Sequence, residues 1–302
     1  MGFNMDTAII FFHQGKIPFY LRCAIESARF FNPELPVYVL NDSKPAFHSE
    51  WRIECVSLKD ARHPALDAFV KNYTHISSSD LEYERRCFER WFYFEKIMSD
   101  YGLKTAVILD SDAVLFAKAP QLFGLLPERV SFACSKGGGP AMTLVRGSME
   151  PFLAHMQGRF LDADYLKRSA SLMEAARRER KMANLTDMTI CEEFSTSNPL
   201  GFVYPNQTLE GHIDHGIWLP DGLDSKKSGR RHRKRVFWKE EKGVIQPFFR
   251  SASDMEDIRA LCIHFQSKAK RYIRRFNQIG EGGWNSDFGR DIRLWYYNRL
   301  LN

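Results

Sequence analysis

The amino-acid sequence predicts an α/β fold with a mostly parallel sheet flanked by helices. Three observations lead there. Thr7–Phe12, Val37–Leu40 and Thr105–Leu109 are short, continuous apolar runs, the pattern of strands buried on both faces. A helical pattern over Phe19–Phe31 separates the first two, with Leu21, Ala24, Ile25 and Ala28 at helical spacing. A strand–helix–strand opening of this kind implies parallel strands. The composition, 44% hydrophobic and 26% charged over 302 residues, is that of an ordinary globular protein. A single domain over 1–302 is expected, with a first half to residue 126 and a second half over 127–302.

Taken in order, His13-Gln14-Gly15 ends the first strand, Pro33 and Pro36 stop the first helix, and Asn41-Asp42 end the second strand. The stretch from there to Ser79 reads as mixed and loop-rich. Ser79-Asp80-Leu81-Glu82 fits a capping box opening a long helix that closes near Tyr101-Gly102. Pro120 opens a short helix running to Leu126. Val130–Cys134 and Met142–Val145 read as strands around a Gly-rich turn at 136–140, and 149–181 as mostly helical. A short helix over 186–194 takes Thr186 or Asn184 as its cap. The region 205–260 reads as irregular, with short β candidates at Val236–Trp238 and Val244–Gln246. A late strand, Leu261–Phe265, and a closing helix, 291–300, complete the chain.

Aromatic residues make up 14% of the chain, which suits a deep core or a ring-stacking pocket. The formal net charge of +6 is concentrated in one segment, 225–235, containing Lys226, Lys227, Arg230, Arg231, Arg233, Lys234 and Arg235; the remainder is close to neutral. That run reads first as a solvated loop. Contact with anionic lipid headgroups is the second reading. Nucleic acid is not expected, because no aromatic residue is interleaved for base stacking. The scattered cysteines, without a C-x-x-C pair, suggest reduced buried thiols and no zinc site. No apolar stretch approaches the roughly 20 residues needed to span a bilayer, and the N-terminus lacks a basic region before its apolar run. A cytoplasmic protein is therefore expected, with peripheral contact at the cytoplasmic membrane face as an option.

The feature richest in chemistry is Asp110-Ser111-Asp112, directly after the buried run Ala106-Val107-Ile108-Leu109. Ligands of open α/β sheets bind outside the carboxyl ends of strands. Two carboxylates one residue apart at that edge can hold a hard divalent cation. Such a cation clamps a diphosphate and stabilises its charge as a leaving group.

With that block the chain resembles the GT-A-fold glycosyltransferases, in particular the glycogenin-like and bacterial lipopolysaccharide sugar transferases. The resemblance rests on four blocks in order. They are Phe11-Phe12-His13-Gln14 at the end of the first strand; Arg90-Trp91-Phe92-Tyr93-Phe94-Glu95-Lys96-Ile97; Asp110 to Leu115 with Pro120-Gln121-Leu122-Phe123; and His264-Phe265-Gln266-Ser267-Lys268-Ala269-Lys270, which has the spacing of an H-x-x-G-x-x-K motif. It implies a Rossmann-like nucleotide-binding sheet with a C-terminal acceptor-side region, a nucleotide diphosphate-sugar donor (a UDP-sugar first), Mn2+ or Mg2+, and a glycan or lipid-linked glycan acceptor. Asp110, Asp112 and His264 would hold the metal; the imidazole favours Mn2+ over Mg2+. Phe11 and His13 would seat the base, and Arg86, Ser111, Lys268 and Lys270 would contact the donor. Asp187 would orient the sugar or acceptor, and the spacing from His264 to Lys270 leans towards retention. Apart from the resemblance, Asp214-His215 in the Gly-flanked loop 211–216 reads first as a pair of polar turn residues and second as the base of an inverting reaction. Two departures stand out. Ser267 occupies the glycine position, and Met188 replaces the Gln expected in Asn184-Leu185-Thr186-Asp187-Met188. A sugar-nucleotide-forming nucleotidyltransferase and a non-catalytic nucleotide-sugar or anionic-ligand binder are the alternatives.

Overall fold

The computed structural model describes residues 6–42, 53–135, 141–179, 184–228, 231–241 and 243–276. Its strands are β1 (Thr7–Phe12), β2 (Val37–Leu40), β3 (Ile53–Val56), β4 (Thr105–Leu109), β5 (Ala113–Leu115), β6 (Phe132–Ser135), β7 (Met142–Arg146), β8 (Gly201–Tyr204), β9 (Gln207–Thr208), β10 (Gly211–Ile213), β11 (Ser225–Ser228), β12 (Arg231–Lys234), β13 (Phe237–Glu241), β14 (Val244–Arg250) and β15 (Asp257–His264). Its helices are α1 (Phe19–Phe31), α2 (Leu66–Asn72), α3 (Leu81–Asp100), α4 (Ala119–Phe123), α5 (Glu150–Leu161), α6 (Ala163–Arg178) and α7 (Asp187–Ser197), and a 3-10 helix spans Ser267–Phe276.

The main sheet has seven strands in the order β3-β2-β1-β4-β7-β6-β8. The first four strands are mutually parallel, β6 is parallel to β8, and β7 runs against both its neighbours. The expected mostly parallel α/β sheet is the one observed. Side chains alternate across it. Ile9, Phe11, Val107 and Leu109 enter one core with α1, while Ala8, Ile10, Ala106 and Ile108 enter the other with α3, α5 and α7. Both faces are dry, which explains the uninterrupted apolar runs.

The ends of α3 follow local chemistry. Asp80, rather than Ser79, is the cap and accepts the Tyr83 N–H at 3.0 Å. Gly102 follows the helix at φ 62°, the left-handed position where glycine stops a helix without a Cβ penalty. The 149–181 segment is broken by Asp162, which ends α5 and caps α6 by accepting the Tyr165 N–H at 2.9 Å. Thr186 caps α7 in a capping box with Thr189.

The second half departs most from expectation. The segment read as irregular is rich in strands: a second sheet runs β13-β14-β15-β10-β9, and β5 pairs with β15. The basic run is also no solvated loop. β11 and β12 form an antiparallel hairpin with Lys226 opposite Arg233 and Ser225 opposite Lys234. Lys234 is 1% exposed. The first loop likewise holds an unforeseen strand and helix, β3 and α2. The Gly-rich turn at 136–140 and the closing helix at 291–300 lie outside the described residues. Cys134, Cys191 and Cys262 are buried, and Cys23, Cys55 and Cys87 are partly buried. Among the described residues, no helix is long and apolar enough to cross a membrane.

Candidate active site

Asp110-Ser111-Asp112 is the link between the two sheets. β4 ends at Leu109, opposite Phe11 of β1 in the main sheet, and β5 begins at Ala113 in the second. The register of β5 on β15 sets Ala113 opposite His264. This pairing brings together carboxylates and an imidazole separated by some 150 residues of sequence. Two backbone bonds shape the link: Ala113 N–H donates to the Asp110 carbonyl at 3.0 Å, and Phe265 N–H to that of Asp112 at 2.9 Å.

His264 Nε2 lies 3.3 Å from Asp112 Oδ1 and 3.8 Å from Asp110 Oδ2. One ligand atom from each of Asp110, Asp112 and His264 lies within 4.8 Å of the other two. Metal–ligand bonds of about 2.0–2.2 Å set neighbouring ligands about 3 Å apart, so the three fit around one ion. The donor set, two carboxylate oxygens and one imidazole nitrogen, suits Mn2+. The Nδ1 of His264 donates to the His215 carbonyl at 2.8 Å, which leaves Nε2 facing the carboxylates.

Without metal, the charges compensate one another. Burial alone would lower the His264 pKa; Asp112 and Asp110 outweigh it and raise it to about 9. Burial is likewise overcome at Asp112, where His264 and Lys270 hold the carboxyl below its ordinary range. At Asp110 burial dominates, against Arg90 and His264, and the carboxyl is pushed up. A divalent cation would take over the role that the His264 proton plays here.

The remaining predicted residues fall into three groups. Lys270 is at the site, with its ammonium 3.1 Å from Asp112 Oδ2 and 4.9 Å from the centre of the Tyr20 ring. His13 lies beside it, its pKa lowered by burial and by the Lys270 charge, with Tyr20 edge-on at 6.3 Å between ring centres. Ser111 sits at the turn of the link, half-buried. Ser267, in the glycine position, has φ 55° and so adopts the left-handed conformation that glycine favours.

A second group supports the site from behind. Arg90, one turn beyond Arg86 on α3, donates to Asp110 Oδ1 at 2.6 Å and to Asp187 Oδ2 at 2.7 Å. The indole N–H of Trp91 donates to the same Asp187 oxygen at 3.1 Å. Asp187 is 3% exposed, so its placement is that of an anchor for Arg90. Asp214 is fully buried. One of its oxygens contacts the Lys234 ammonium, and the other accepts the His264 backbone N–H at 3.2 Å. Burial would raise the Asp214 carboxyl; His212 and Lys234 outweigh it and bring it to about 2. A carboxylate so enclosed cannot reach an acceptor hydroxyl, which corrects its reading as a base.

The third group is either buried in the core or exposed at the surface. Phe11 is fully buried in the core cluster that also holds Ile25, Val39 and Leu109, which leaves its ring no face for a base. Arg86 and Lys268 are exposed, and neither makes the contacts of Arg90 and Lys270. Sequence reasoning overlooked Tyr20, Lys234 and Asn41, whose amide donates to the Gly15 carbonyl at 2.9 Å and to that of His13, shaping the loop after β1. Asn41 did carry a signal, as the polar residue closing a strand edge.

No protein-family model and no curated protein matches the chain. Solved structures similar in shape include mouse xyloside xylosyltransferase 1, at 10% identity over 66% of this chain and 85% of that one, with a TM-score of 0.42. A glycosyltransferase involved in the glycosylation of the major capsid of PBCV-1 matches 89% of this chain and 98% of its own, at 11% identity and a TM-score of 0.39. The glycosyltransferase GlyE of Streptococcus pneumoniae TIGR4 matches at 15% identity and a TM-score of 0.35; the chain spans 45% of its length. At these identities and scores the likenesses carry none of the argument for function, which rests on the site itself.

Proposed function

We propose that this protein is a divalent-metal-dependent glycosyltransferase that moves a sugar from a nucleotide diphosphate-sugar, a UDP-sugar first, to a hydroxyl of a glycan or lipid-linked glycan. The observation that carries this reading is the convergence of Asp110, Asp112 and His264 at the carboxyl edge of a mostly parallel sheet, with Lys270 alongside. A cation held there would neutralise charge on a diphosphate leaving group.

The residues divide the work. Asp110 and Asp112 supply oxygen ligands, and His264 supplies nitrogen. Lys270, half-buried beside Asp112, whose charge raises its pKa against burial, would meet phosphate oxygens as a point charge. Arg90, fixed by Asp187, holds Asp110 in place. Ser267 shapes the backbone where it passes the diphosphate, and His13 and Tyr20 flank the nucleotide. The acceptor hydroxyl oxygen attacks the anomeric carbon as the bond to the diphosphate breaks, and its proton passes to the departing diphosphate oxygen. With Asp214 sealed away, that carboxylate does not serve as the base of an inverting reaction.

The test is nucleotide release from UDP-, GDP-, dTDP- and CMP-sugars, with and without Mn2+, in the presence of mixed glycan acceptors. We expect metal-dependent release from one donor, reduced about 100-fold or more in Asp112→Ala. Turnover undiminished in that variant, or Mn2+-independent turnover, sinks the proposal.

A further inference from the structure

We propose that Lys234 is a positioning residue for the metal ligand His264; the inference rests on the metal-site reading above. Lys234 sits in a strand whose neighbours His232 and Arg233 are exposed and partly buried, yet its own side chain is fully enclosed. Burying an ammonium is costly unless it is paired and hydrogen-bonded. Here the ammonium contacts Asp214 Oδ1, lies 2.5 Å from Asp221 Oδ2 and donates to the Gly216 carbonyl at 3.4 Å. It therefore grips the loop 214–221 at three points.

The inner side of the same loop holds His264. Asp214 Oδ2 accepts its backbone N–H at 3.2 Å, the His215 carbonyl accepts its Nδ1–H at 2.8 Å, and the Ile217 N–H donates to its carbonyl at 3.1 Å. Gln266 adds a second donor to the His215 carbonyl at 3.1 Å. The backbone N–H of Lys234 closes the frame on the Ile217 carbonyl at 2.9 Å. Every bond that fixes the backbone and ring of His264 from this side thus comes from a loop that Lys234 clamps from the other. Partners of metal-ligating histidines set ring orientation and ligand basicity, and their loss weakens metal binding about 10–100-fold. The basic hairpin therefore contributes Lys234 inwards, to the metal site, while Lys226 and Lys227 are exposed.

The test uses the full chain and Mn2+ alone, with free Mn2+ followed by electron paramagnetic resonance well below the unfolding transition. Asp112→Ala defines binding outside the site. We expect Lys234→Met to raise the Mn2+ dissociation constant tenfold or more while circular dichroism remains that of the wild type. Because a lone buried Asp214 carboxylate can prevent folding, the double variant Lys234→Met, Asp214→Asn is tested beside it. The double variant removes that charge but not the need for the clamp, so its affinity should also be reduced. Wild-type affinity in either folded variant overturns the inference and leaves the metal site standing. Wild-type protein with no Mn2+ binding that Asp112→Ala removes overturns the metal-site reading itself, and this inference with it.

Discussion

Arg86 and Arg90 differ by one helical turn, yet they have separate fates. Arg90 bridges Asp110 and Asp187 with its side chain 13% exposed, while Arg86 lies at the surface. Removing Arg90 leaves Asp187, 3% exposed, as a nearly unpaired buried carboxylate. Arg90→Met should cost about 3–5 kcal/mol in urea unfolding and suppress turnover, because Asp110 loses its anchor. Arg86→Ala should change stability by less than about 0.5 kcal/mol. Equal effects of the two substitutions would refute the bridge. The pair also shows where sequence reading stops at this scale. Residues four apart share a helix face, and nothing local distinguishes the one that reaches the sheet edge.

Strands and helices decide how tightly the site is held. Asp187 is the first residue of α7, and α7 packs on β8, whose first residue is Gly201. A Cβ at Gly201 would stand 2.5 Å from the Phe194 carbonyl oxygen and 2.6 Å from the Ser195 Cα, both backbone atoms that cannot rotate away. Gly201→Ala should therefore push α7 off the sheet, at a cost of about 1–3 kcal/mol. Its thermal midpoint should fall, and turnover should fall with it as Asp187 shifts relative to Arg90. An unchanged midpoint would show that the helix accommodates the methyl group freely. The elements themselves were largely legible, because apolar runs, caps and stops are local signals: β1, α1, β2 and β4 fall where the sequence sets them. The second sheet was legible only in part: β13, β14 and the end of β15 carried strand signals, but β9 and β10 are two and three residues long, and β15 pairs with the distant β10 and β5. His264 beside Ala113 is the clearest case.

Across the whole molecule, the charge is lopsided. Its basic segment forms a hairpin that turns Lys234 inwards and leaves Lys226, Lys227 and His232 exposed. If that exposed face meets an anionic surface, at about 1 kcal/mol per cation the attachment would be weak. The protein should co-sediment with vesicles containing phosphatidylserine at low salt and release at high salt, where screening shortens the reach of the charges. A Lys226→Glu, Lys227→Glu double variant should lose that binding without losing nucleotide release. Failure of the wild type to bind such vesicles at low salt would remove the membrane from this account. Attachment through the outer face and the Lys234 clamp through the inner face would then be separable properties of one hairpin.

What the sequence by itself determined is the parallel sheet opening and the position of Asp110-Ser111-Asp112 at a strand's carboxyl edge. These follow from signals within a few residues of each other. His264 and Lys270 are candidate partners only through the family resemblance of their motif. Tertiary structure alone decided three things. Phe11 faces the core, because a strand buried on both faces carries no mark of which side its residues take. Asp214 is a support and not a base, because its partner Lys234 lies 20 residues further on in a run of like charges. Ser267 takes the glycine conformation, because the turn after β15 imposes φ 55° on whatever residue stands there. In each case the deciding contact is long-range or conformational, and a one-dimensional pattern of residue types does not contain it.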